Sequence, residues 1–282
     1  MAKTTNDYIL VVDSDSYIQA DALENLLSAM LADDKIGAVA GRPIVRNRTT
    51  LLGRLQTLEY TSIIANIKEA QSFFMHRIMT ISGVISFYRT AAVKSAGGWD
   101  EAAMTEDIDA TWNLYQQGWK VKYEPKAICW ILVPETVKGL IKQRTRWSVG
   151  GLEVLVKNNK TLWQGDVGER LLLAEMIISH LWSWCFLIAS IECFFTIGRT
   201  GTVKMNGMIL CIYTFIGLIQ FLIGIIGARK STGLTMSDNL LIPIYLVFYW
   251  VLNLYTAIAS ELTYFFSKKN DGRWESPDRG VK

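Results

Sequence analysis

Residues Tyr8–Asp15 read YILVVDSD, a short unbroken apolar run closed by two aspartates one residue apart. Five apolar residues in succession suit a strand buried on both faces, with Asp13 and Asp15 at its carboxyl end. Working outward, Asp21 is placed to cap a helix with Glu24 three residues on. Leu23, Leu26, Leu27, Met30 and Leu31 then fall on one helical face. Ile36–Ala40 reads as the next strand, 51–74 as a long helical stretch, and Gly83–Tyr88 as another strand. After Gly97-Gly98, Thr105-Glu106-Asp107 opens a helix to about Gln117. Two strands at Lys120–Tyr123 and Ile128–Leu132 follow, then a helix from Pro134 through Trp147. Strands alternating with helices predict an α/β layer.

The second half has a different character. Charges are frequent over the first 170 residues and almost vanish between Leu171 and Phe266. Apolar stretches lie at Leu171–Phe195, Met208–Gly227 and Leu240–Phe266, each near the ~20 residues that a helix needs to cross a bilayer. The first carries Glu175, His180 and Glu192 and also suits the membrane surface, so the expectation is two to three spans. The chain therefore divides into a soluble portion, residues 1–165, and a membrane portion, residues 166–282. Met1–Asp7 is polar and Tyr8–Val12 is too short for a signal core, which predicts a cytoplasmic soluble portion and a multi-pass protein of the plasma (inner) membrane. Arg229 and Lys230 obey the positive-inside rule, whereas Lys268, Lys269 and Arg273 would fall outside if all three stretches cross. A re-entrant or interfacial segment would resolve that conflict.

Several function classes are disfavoured by composition. His76 and His180 are the only histidines, so a histidine-based metal site is not expected. The four cysteines, Cys129, Cys185, Cys193 and Cys211, have neither metal nor redox spacing and read as small core residues. A net charge of +3, with bases scattered among acids, argues against nucleic acid as a partner. Gln220, Asn253 and Glu261 are too few intramembrane polar residues for a transporter.

Three clusters carry chemistry, each with an ordinary alternative. Asp13 and Asp15 can hold one hard divalent cation, Mg²⁺ or Mn²⁺, and through it a diphosphate; a turn of solvated carboxylates is the alternative. In Thr105-Glu106-Asp107 one carboxylate could take the proton from an attacking hydroxyl; helix capping and dipole compensation explain the same residues. Gln143, Arg146 and Trp147 share one face at i, i+3 and i+4, with Arg144 pointing elsewhere. They could bind a diphosphate and a sugar ring, or simply anchor an amphipathic helix at the membrane interface.

Strand-DSD, then TED, then QRTRW directly before membrane stretches resembles the processive family 2 glycosyltransferases, which include cellulose, chitin, hyaluronan and poly-N-acetylglucosamine synthases. Within them GRLQTLEYTSII, TISGVISFYR, TEDIDATWNL, YEPKAICWILVPETVKGL and QRTRWSVGGLEV are most similar to the bacterial poly-β-1,6-N-acetylglucosamine synthases. The resemblance covers residues 7–157 densely and the membrane portion in layout. It implies a GT-A α/β domain followed by transmembrane helices, a UDP-sugar donor such as UDP-N-acetylglucosamine, and inversion at the anomeric carbon. It further implies a growing polysaccharide as acceptor, a small membrane partner subunit, and further strand–helix units ahead of the first strand seen here. By position, Asp13 and Asp15 would serve the metal and nucleotide, Asp15 as the likelier direct ligand. Asp107 would be the general base with Glu106 beside it, Ser82 and Gly83 would adjoin the acceptor sugar, and Gln143, Arg146 and Trp147 would meet acceptor and diphosphate. A synthase of another polymer, or a membrane remnant that binds a partner without turnover, are the competing readings. UDP binding discriminates the second.

Overall fold

The computed structural model describes residues 4–201, 205–232 and 234–266. Its five strands are β1 (Tyr8–Val12), β2 (Tyr17–Ile18), β3 (Ile36–Val45), β4 (Ile85–Arg89) and β5 (Lys120–Ile131). They form one sheet in the order β1-β4-β3-β5-β2. Only β3 and β5 run parallel; the other neighbours are antiparallel. The sheet is thus mixed rather than parallel. Its centre is β3, every residue of which is buried. The DSD strand β1 is half-buried along its length, not enclosed on both sides, because among the described residues it pairs with β4 alone.

Side chains alternate across β3 as the pleat requires. Ala38 and Ala40 face a core shared with Tyr88, Trp112, Leu114 and Tyr123, whereas Val39 and Val45 face another with Leu26, Met30, Ile85 and Cys129. Helix α1 (Ala22–Leu31) covers the second face through Ala22, Leu26, Ala29 and Met30. Leu23 and Leu31, expected on the buried face, are exposed, and Asp21 stands at the cap position without a side-chain bond. The contact stripe is centred on the 22/26/29 diagonal, so small alanines set it more than the leucines do.

The two strands expected at 120–123 and 128–132 are one. Tyr123 pairs with Ala40 and Ile128 with Arg42, so Glu124–Ala127 form an irregularity inside β5 that the polar Glu124-Pro125-Lys126 disguised as a loop.

Helices α2 (Leu51–Glu59) and α3 (Ala65–Ala70) form a nearly continuous rod with two wide turns, Tyr60–Ile64 and Gln71–Met75. In the first of these the Ala65 N–H bonds to the Tyr60 carbonyl, five residues back. Thr50 caps the rod by accepting from Gly53 N–H at 3.0 Å. After α4 (Thr90–Ser95) and α5 (Glu106–Gln116), α6 (Val137–Lys157) starts at a Thr136 cap, three residues later than Pro134 suggests.

The short α7 (Thr161–Gln164) leads to the apolar helices: α8 (Val167–Thr200), α9 (Met205–Thr232) and, after the short α10 (Met236–Asn239), α11 (Ile242–Phe266). Among the described residues α8 and α11 are long and apolar enough to cross a membrane, and α9 contains a shorter apolar run over residues 214–226. The basic tail at 268–273 lies outside the described residues. A third core, built from Leu52, Leu55 and Leu58 of α2, Leu140 of α6, Phe221 of α9 and Tyr245 and Tyr249 of α11, joins the sheet layer to these helices.

Candidate active site

Helix α5 positions the site. Residues 107, 111 and 115 lie four apart, hence on one face, and that face holds residues 78–83 as a ladder. Tyr115 OH bonds both Ile78 N–H and Ile78 carbonyl, at 3.0 and 2.9 Å. Thr111 Oγ1 accepts from Ile81 N–H at 2.9 Å, and Asp107 Oδ2 accepts from Gly83 N–H at 3.1 Å. The Trp112 indole N–H adds a bond to the Met79 carbonyl at 3.2 Å. The ladder ends where Ser82 turns back on Ile85, whose N–H reaches the Ser82 carbonyl at 3.3 Å. At the same turn Asp13 N–H approaches the Val84 carbonyl at 3.5 Å. The DSD turn, the Ser82–Gly83 turn and the TED helix start are therefore contiguous.

Gly83 belongs there for a steric reason. A Cβ on it would stand 3.5 Å from Asp107 Oδ2 and 3.6 Å from Glu106 Oε1, filling the space in front of both carboxylates. Asp107 also accepts from Ile108 N–H at 2.9 Å. Burial, and then the charge of Glu106, raise its pKa above the usual carboxylate range, against the two backbone N–H bonds and the charge of Lys68. Glu106 is exposed. Lys68, on α3, is 7% exposed, and burial lowers its pKa to about 8 in spite of Asp107. A carboxylate so placed, of raised basicity, is suited to accept a proton. Thr105 stands at the N-cap without a capping bond from its side chain, while Glu106, Asp107 and Asp109 occupy the first turn, where carboxylates also oppose the helix dipole.

The QRTRW helix is docked on the same loop. Arg146 Nη1 donates to the Met104 carbonyl at 3.0 Å, and Glu153 Oε2 accepts from Met104 N–H at 3.0 Å. Lys157 Nζ reaches the buried Asp109 Oδ1 at 2.5 Å. Gly150 lies so close to Thr105 that a Cβ would overlap its hydroxyl. Gln143 is 6% exposed, and its Oε1 has no hydrogen-bond partner in the protein. Trp147 is partly buried against the Ile85–Phe87 core. Arg144 does not point away from this group: its Cζ stands 4.1 Å above the Trp147 ring centroid. Spacing on a helix wheel missed this, because the indole of residue i+3 leans toward the helix N-terminus, within reach of a long guanidinium side chain.

Asp13 and Asp15 follow β1 and lie near Cys129 of β5, whose thiol burial pushes up to about 11, with both carboxylate charges adding to the rise. No group of three or more His, Cys, Asp or Glu side chains that could hold a metal occurs among the described residues. Two hard carboxylates on one turn nevertheless fit a cation that completes its shell from substrate phosphates and water, as Mg²⁺ does.

Residues 8–259 match the family model described as Glycosyl transferase family group 2. The chain belongs to that family. Among family 2 relatives, the poly-beta-1,6-N-acetyl-D-glucosamine synthase of Staphylococcus aureus (strain COL) is 35% identical, over 97% of this chain and 68% of the relative. The synthase of the same name from Staphylococcus epidermidis is also 35% identical, with the same coverage. A solved mannosyltransferase from Pyrobaculum calidifontis, in complex with GDP-Man and Mn²⁺, shares the GT-A fold with a TM-score of 0.60 at 15% identity. That likeness covers 95% of this chain and 64% of that one, so the chain spans about two thirds of the length of these proteins. Family 2 membership and the GT-A fold agree with the expectation from DSD, TED and QRTRW.

Proposed function

We propose that this chain polymerises N-acetylglucosamine from UDP-N-acetylglucosamine into a β-1,6-linked polysaccharide, inverting the anomeric carbon. The observation that carries the reading is the Gly83–Asp107 contact: a raised-pKa carboxylate faces a turn kept open by glycine, beside the docked QRTRW helix. Identity of 35% with two named synthases supports the polymer and linkage.

In this reading Asp107 takes the proton of the attacking 6-hydroxyl, and Glu106 keeps Asp107 basic. Ser82 and Gly83 border the acceptor sugar, Trp147 supplies its stacking surface, and Gln143 and Arg146 meet acceptor and diphosphate. Asp15, with Asp13, holds Mg²⁺ or Mn²⁺, which when bound neutralises charge on the departing UDP. Residues 1–165 form the cytoplasmic catalytic portion and 166–282 the membrane portion in the plasma (inner) membrane, open to a small partner subunit.

The test is incorporation of labelled N-acetylglucosamine from its UDP donor by membranes carrying this chain, with Mg²⁺, beside Asp107→Asn. Polymer that depends on Asp107 is expected. Equal incorporation by the variant would overturn the assignment, and UDP binding without polymer would favour a binding role.

A further inference from the structure

Arg144 and Glu59 form a buried ion pair that the proposed chemistry does not use. Arg144 Nη2 donates to Glu59 Oε2 at 2.6 Å, and the two side chains are 6% and 9% exposed. The same guanidinium lies over the Trp147 ring at 4.1 Å and near the Tyr60 ring at 5.9 Å. Its Nε and Nη1 have no hydrogen-bond partner in the protein. Such a group is costly to bury for packing alone, since replacing a buried ion pair by apolar residues is often neutral or stabilising. On the far side, Tyr249 of α11 adjoins the pair and stacks at 4.5 Å on Tyr245, which stacks in turn on Phe221 of α9. One residue past Trp147, the Ser148 hydroxyl meets that of Ser260 on α11 at 2.7 Å.

A cation fixed above an indole restricts both of its side-chain torsions and so sets the angle at which the ring meets anything beside it. We propose that Arg144 is a positioning residue that, held by Glu59, fixes the Trp147 indole for a pyranose ring of the acceptor and ties its attitude to membrane helix α11. This rests on the reading of Trp147 as the acceptor's stacking surface.

The test uses the full chain in detergent and three readouts: affinity for a short β-1,6-linked N-acetylglucosamine oligomer, affinity for UDP with Mn²⁺, and Tm. Arg144→Lys keeps the charge opposite Glu59 and loses the planar stack. Its oligomer affinity is expected to fall about tenfold, between the exposed and the desolvated size of one cation–π contact, with UDP affinity unchanged and Tm nearly so. A purely structural pair predicts the opposite, a lower Tm with oligomer affinity intact, and that result overturns the inference. Glu59→Gln, which loosens the anchor and leaves Arg144 in place, is expected to weaken oligomer binding in the same direction and serves if Arg144→Lys does not fold. Trp147→Ala separates the two levels. If it abolishes oligomer binding while Arg144→Lys and Glu59→Gln leave it intact, the inference alone fails. If Trp147→Ala has no effect, or the unaltered chain binds no oligomer, the stacking-surface reading falls and takes the inference with it.

Discussion

The backbone N–H of Gly83 points at Asp107 Oδ2 from 3.1 Å, which places a turn without side-chain bulk directly against the candidate base. Replacement by alanine adds a methyl at ordinary contact distance from both carboxylates rather than a clash. Gly83→Ala should therefore fold with a Tm close to that of the unaltered chain and still lose most polymer synthesis. Loss of Tm in parallel with activity would mean that the turn is structural.

Asp107→Asn removes the proton acceptor and keeps the shape. Synthesis should fall by about 10²–10⁴-fold, the usual contribution of a general base, while UDP affinity stays within a factor of about two. Normal turnover by the variant would exclude Asp107 from the reaction.

The pH profile carries a sign. Burial and Glu106 hold the Asp107 pKa high, and a base must be ionised, so kcat/KM should fall as pH drops through that raised value. Glu106→Gln removes the repelling charge and lowers the Asp107 pKa, and the acid limb should move to lower pH. A limb that moves upward, or stays fixed, would show that Glu106 does not act on Asp107.

Metal dependence is expected to run through Asp15 and Asp13. Chelation with EDTA should weaken UDP binding, and Mn²⁺ or Mg²⁺ should restore it in the unaltered chain. Asp15→Asn should bind UDP weakly with or without added metal, as isothermal titration would register. Full restoration by metal in that variant would point to other ligands.

Within the apolar helices, Glu261 of α11 meets the His180 Nδ1 of α8 at 2.8 Å and accepts from the Trp184 indole N–H at 2.5 Å. Interhelical polar contacts in membranes average about 0.6 kcal/mol and reach about 1.7. A His180→Ala/Glu261→Ala double-mutant cycle in detergent unfolding should show coupling of that order. Zero coupling would mean that the two helices are held by packing alone.

The local motifs were readable from spacing because their residues are close in sequence: DSD after five apolar residues, TED at a helix start, QRTRW across one helical turn. What spacing could not show is contact between them. Residues 107, 111 and 115 look like an ordinary helix face until the 78–83 segment, far off in sequence, is laid along it. Arg144 was misplaced for the same reason, since its partner Glu59 lies 85 residues away. β1 read as fully buried because apolar content reports affinity for a core and not whether a second strand lies alongside. Glu124-Pro125-Lys126 read as a break because polar residues and proline usually end strands, whereas here parallel pairing with β3 resumes at Ile128.

The two wide turns in the rod from Leu51 to Met75 have a consequence for how this protein tolerates change in length. Each marks a place where one extra residue has been absorbed into a helix without ending it. In a regular helix every residue turns the chain by about 100°, whereas a wide turn spreads one revolution over an additional residue, so what lies beyond it keeps the facing it would have without the insertion. Lys68 thus stays on the side of Asp107, and Gln71 reaches Met79 and Glu175 at 3.0 and 3.1 Å, on the same rod whose leucines grip α9 and α11. Loss of one residue between Tyr60 and Ile64 would therefore leave a smoother helix with both ends still in step. The same loss within Leu51–Glu59 or Ala65–Ala70, where no slack is stored, would rotate one end against the other.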